Sequence, residues 1–117
     1  MKTYLLLFRA DYNAIEAVAP EVTQQRNIDW MAWLEHISAQ GKLVNGNHLG
    51  NDGRIVKGKN DVTDGPLTTE GKSILGYLLI LADSYDDAII IAKACPILEE
   101  ANNSVEVRAL HAVDLPN

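Results

Sequence analysis

One cysteine, Cys95, stands in 117 residues. It has no partner for an internal disulfide and no second thiolate for a metal knot. Aromatic residues make up only 6%. Basic residues are few, 10 against 16 acidic, for a net charge of −6, and they form no cluster. A nucleic-acid binder needs a basic face to neutralise phosphates, so this balance predicts no nucleic-acid partner. No apolar run approaches the length of a membrane span. The opening segment, Met1 to Phe8, is too short for a signal-peptide core and is closed by Arg9 and Asp11, which predicts a cytoplasmic protein with no membrane partner. There is no glycine-rich phosphate loop, and the three histidines show no ligand spacing, so neither a cofactor nor a metal site is expected.

What is present is an ordinary apolar share, 47%, enough for the core of one domain over residues 1–117. Residues 3–9 and 76–82 are apolar at successive positions, the mark of strands shielded on both faces. Residues 20–40 read as a helix. Pro20 and Glu21 suit its first turn, Trp30, Trp33, Leu34 and Ile37 form one stripe, and Gly41 is a left-handed stop. Ser84 to Asp87 reads as the cap of a second helix carrying Ala88, Ile91, Ala92 and Cys95, broken by Pro96. Residues 43–49 and 104–113 have mixed patterns suited to edge strands. Residues 54–57 predict a short strand and 58–66 a polar, turn-rich stretch.

The order strand, helix, strand, a loop with room for a hairpin, strand, helix, strand is that of an α+β, ferredoxin-like βαββαβ sandwich with an antiparallel sheet. Two helices cover one face of such a sheet. The other face of the two greasy strands needs a cover, and a second copy packing sheet on sheet predicts a homodimer. The rival is a monomer whose 50–69 loop folds over that face.

Four short segments carry a family resemblance: Thr63-Asp64-Gly65-Pro66-Leu67, Gly76-Tyr77, Cys95-Pro96-Ile97-Leu98 and Ser104-Val105-Glu106-Val107-Arg108. With Trp30-Met31-Ala32-Trp33 and Gly41-Lys42-Leu43, they make the chain resemble the YCII-related (YciI-like) proteins, in the branch named for its Asp-Gly-Pro-Phe (DGPF) motif. The resemblance implies a dimeric α+β barrel of ferredoxin-like type. It also implies small-molecule chemistry in some relatives, including lyase-like dehydrochlorination of aromatics. Leu67 departs from the motif's Phe. The resemblance further implies an acid–base His and Asp in the enzyme-like branch; by spacing from Gly41 the His position falls at about Trp30, and by Pro96 the Asp position falls at Cys95, neither of which can do that work.

Among the remaining polar groups, His48 and Asp64 are the candidate catalytic pair. A histidine exchanges protons near neutral pH, and the carboxylate sits beside a Gly-Pro that would hold it at a pocket rim. The alternatives are an edge histidine and a turn in which Asp64 bonds the backbone and Gly65 supplies positive φ. Arg9, Tyr77 and Arg108 are the candidate substrate-binding residues, the arginines as forks for an anion. Glu106, two residues before Arg108 on the same face, would pair with it. Cys95 lies on an apolar stripe and reads as a buried thiol. The expected ligand is a small organic or aromatic molecule, handled by cofactor-free proton transfer in a lyase- or isomerase-like reaction. The alternative is a non-catalytic dimeric module that binds a ligand or a protein.

Overall fold

The computed structural model describes residues 1–111. Four strands form one antiparallel sheet in the order β2-β5-β1-β6: β1 is Lys2–Ala10, β2 Leu43–His48, β5 Ser73–Ala82 and β6 Ser104–Ala109. The two strands that are apolar at successive positions therefore occupy the centre and the mixed strands the edges, as the pattern predicts. Leu5 faces Leu79, and Leu7 faces Tyr77, across the central pair. Of the strand expected over 104–113, β6 covers Ser104–Ala109; residues 112 and 113 lie outside the described residues.

The helices α2 (Pro20–Ala39) and α3 (Tyr85–Lys93) pack on one face. Pro20 opens α2 and Gly41, at φ +70°, follows its end. Ser84 caps α3, its hydroxyl accepting from the Asp87 N–H at 3.2 Å. Tyr4, Leu6, Phe8, Leu78 and Ile80 of the sheet meet Trp33, Ile37, Ala88 and Ala92 of the helices in the buried core. The Trp33 indole N–H donates to the Ile91 carbonyl at 3.1 Å, tying α2 to α3. The Tyr85 hydroxyl, beside the Tyr4 ring, accepts from the Ala109 N–H at 2.9 Å and ties α3 to β6.

Gly46 lets β2 approach its neighbour. A Cβ there would lie 2.6 Å from both Leu78 Cδ1 and the Tyr77 carbonyl. A bulge follows where β1 meets the start of β5. Phe8 pairs with Gly76 and Arg9 with Ile74, leaving Leu75 unopposed.

Two features depart from the sequence expectation. A short helix, α1 (Tyr12–Glu16), follows β1, its first amides held by the Asp11 carboxylate at 3.0 and 3.3 Å. The stretch read as polar turns contains a strand, β4 (Asp61–Gly65), which pairs with β3 (Gly53–Lys57) as a two-stranded hairpin. Gly58, at φ +64°, turns the chain between them, and Val62 and Thr63 supply strand-forming side chains opposite Val56 and Ile55. The hairpin joins neither the sheet nor the core, and it leaves Val56 and Val62 66% and 60% exposed. The radius of gyration is 15.9 Å, against about 13 Å for a compact chain of this length, which fits a projecting hairpin. The face of the sheet opposite the helices carries half-buried Leu5, Leu7, Tyr77, Leu79 and Leu81, with no helix of the described residues over it.

Candidate functional site

On the helix side, one end of the sheet stays open. The bulge turns Leu75 towards it, and Phe8, Trp30 of α2 and Ile97 of the 3-10 turn Pro96–Glu99 form walls around it. Tyr12, Ile15 and Glu16 close one side from α1. The result is a cavity of about 380 Å³, a size that suits a small organic molecule. Phe8 and Trp30 stand edge to face with ring centres 5.0 Å apart, and Trp33 packs behind both.

His48 ends β2 on the wall of this cavity, its ring 5.6 Å from that of Trp30. It pairs in register with Gly76, where a Cβ would come within 2.7 Å of the Asn47 carbonyl and 3.3 Å of the His48 Cα. A residue other than glycine at 76 would thus displace the histidine. The other polar groups on the wall are Asn27, Asn103, Glu16, Glu99 and the pair Arg26–Glu100, joined at 2.9 Å. Asn103 donates to the Ile97 carbonyl at 3.1 Å and fixes the turn that supplies the far wall.

The candidate residues fall into three places. His48 is on the cavity. Asp64 is on β4 of the hairpin, 92% exposed, with its carboxylate 3.5 Å from Arg54 across the hairpin, and it is not among the residues lining the cavity. The turn expected around it also differs, because Gly65 does not take positive φ and belongs to the strand, before a cis Gly65–Pro66 peptide. Arg9, Tyr77 and Arg108 lie on the opposite, helix-free face. There Glu106 is shared between Arg9, at 2.5 Å, and Arg108, at 3.4 Å. The hydrogen bond from Arg9, with the charges of both arginines, holds the Glu106 carboxyl below its ordinary range. The Tyr77 hydroxyl accepts from the Asn47 side chain at 3.3 Å. Of the two catalytic candidates, His48 alone lines this cavity.

Trp30 and Cys95 are respectively an aromatic wall and a buried thiol. Burial pushes Cys95 up to about 12, partly opposed by a backbone hydrogen bond at Ile97. Sequence reasoning missed α1, the Leu75 bulge and the Ile97 wall. The available signals were Asp11 as a helix cap and Pro96 as the start of a turn.

A family model for the YCII-related domain matches residues 3–112, and the chain belongs to that family. Among curated proteins none matches it. Among solved structures it is similar to 5-chloro-2-hydroxyhydroquinone dehydrochlorinase (TftG) from Burkholderia phenoliruptrix AC1100, in complex with 2,5-dihydroxybenzoquinone. The TM-score is 0.57 at 14% identity, over 93% of each chain. The likeness establishes the α+β, ferredoxin-like fold.

Proposed function

We propose that this chain is a single-domain cytoplasmic protein, of the DGPF branch of its family, that forms a homodimer through the helix-free sheet face. Each protomer binds a small, largely apolar organic molecule in the cavity beside α2. The observation that carries this reading is the cavity itself: about 380 Å³ walled by Phe8, Trp30, Leu75 and Ile97, with His48 at its edge. The quinone-bound dehydrochlorinase of like fold supports a ring-shaped ligand. No helix among the described residues is long and apolar enough to cross a membrane. Binding without turnover fits the residues better than catalysis, because Trp30 and Cys95 stand about where the family resemblance implies an acid–base pair and Asp64 does not line the cavity. A second reading, cofactor-free proton transfer, rests on His48 alone as the proton-exchanging group.

Tryptophan emission reports on the site directly, since Trp30 lines the cavity while Trp33 is buried behind it. A panel of phenols, quinones and small heteroaromatics should include members that quench this emission and raise the melting temperature. At 100 times its dissociation constant, a ligand stabilises the fold by ~2.7 kcal/mol. Trp30→Ala should abolish both responses. A panel without any response defeats the binding reading. Turnover of a bound panel member that is lost in His48→Gln would replace it with the catalytic one.

A further inference from the structure

The sign of charge around the cavity narrows its ligand. Three carboxylates, Glu16, Glu99 and Glu100, line it against one guanidinium, Arg26. Arg26 is already engaged by Glu100 at 2.9 Å, whereas Glu16 and Glu99 have no ion-pair partner among the described residues. The lining is therefore net negative whether His48 is neutral or protonated. Aromatic rings can attract cations through their faces, and Tyr12 and Trp30, both part-exposed, belong to the same lining, with Phe8 buried behind them. Carboxylates at the mouth and rings in the wall favour the same sign, and both disfavour a carboxylate or phenolate ligand.

We infer that the cavity selects a small organic cation, an ammonium group on an apolar or aromatic body. The inference rests on the binding reading above and supplies the chemical class of its ligand. The apolar body would lie against Leu75 and Ile97, with the ammonium group towards Glu16 and Glu99. The apolar and aromatic walls make the site, and the acidic residues set its sign.

Three probes of similar shape test it by calorimetry on the intact protein: benzyltrimethylammonium, benzyl alcohol and benzoate. The cation should bind about tenfold tighter than the neutral probe, and benzoate weakest, from ring–cation attraction and the carboxylates together. The preference should shrink as salt rises, because the carboxylates are exposed. In Glu16→Gln/Glu99→Gln, two surface changes that leave the core intact, the cation should lose most of its advantage while benzyl alcohol binds as before. Equal binding of cation and neutral probe, or tighter binding of benzoate, overturns the inference and leaves the cavity a neutral or anion site. Binding of none of the three overturns this inference, and a silent aromatic panel as well takes the binding reading with it.

Discussion

A charge placed in the middle of the helix-free sheet face should separate the proposed dimer without unfolding the protomer. Leu79 is the residue to change. It sits on central strand β5 between Leu5 of β1 and Asn45 of β2, and in the protomer it is only half-buried. Leu79→Glu in an isolated protomer puts a carboxylate at a solvated surface, where substitutions cost about 0.5 kcal/mol or somewhat more. In a sheet-on-sheet dimer the same position is covered in both copies. Half the value of a buried leucine, ~1 kcal/mol, is lost twice, and each unpaired buried carboxylate adds a penalty of several kcal/mol. A total above ~5 kcal/mol weakens association more than ~1000-fold. Sedimentation equilibrium over a concentration series reads this directly. The native protein should fit a dimer at micromolar concentration and the variant a monomer, with unchanged circular dichroism and a melting temperature little below that of the dissociated native chain. A native protein that is monomeric at about 100 μM, far above the dissociation constant of a stable dimer, would refute the reasoning. So would a Leu79→Glu protein that stays dimeric.

Other substitutions probe the protomer. Trp33→Ala removes a core side chain and the hydrogen bond to Ile91, and should cost ~3–5 kcal/mol in urea unfolding. Gly46→Ala drives a methyl group to 2.6 Å from the Tyr77 carbonyl, which backbone must yield to, and should cost ~1–3 kcal/mol by the same assay. The Cys95 thiol should resist a thiol reagent at neutral pH until the chain unfolds. Because its folded value is raised to about 12 from 9.0, its contribution to stability is intact below the ordinary thiol value and falls as pH rises from there towards 12. For Glu106 the sign is opposite. Its lowered carboxyl contributes stability above the ordinary carboxylate range that fades as pH falls through the lowered value, so Glu106→Gln should flatten the acid side of the melting-temperature profile.

The sheet was legible because its signals are local. The continuous apolar runs at 3–9 and 76–82, the helical stripe from Trp30 to Ile37, and the stops at Gly41 and Pro96 all act within a few residues. Burial demand then placed the two doubly apolar strands at the centre. The hairpin was half legible. Asn51-Asp52-Gly53 marks a turn, but β4 has only Val62 and Thr63 to announce it, and its pairing with β3 is the stronger cause. The two faces of the sheet were readable for β6, where Val105 and Val107 turn to the core and Glu106 and Arg108 away from it.

By itself the sequence determined the four strands of the main sheet and its two long helices, and that one sheet face would lack a helical cover, because chain periodicity and apolar supply set both; α1 and β4 were not among them. Only the tertiary structure decided that His48 lines the cavity and Asp64 does not, that Leu75 and Ile97 meet Trp30 across a cavity, and that Arg26 spends its charge on Glu100. Those are distances between residues far apart along the chain, fixed by a bulge, a short capped helix and a turn after Pro96, and no pattern of spacing encodes them.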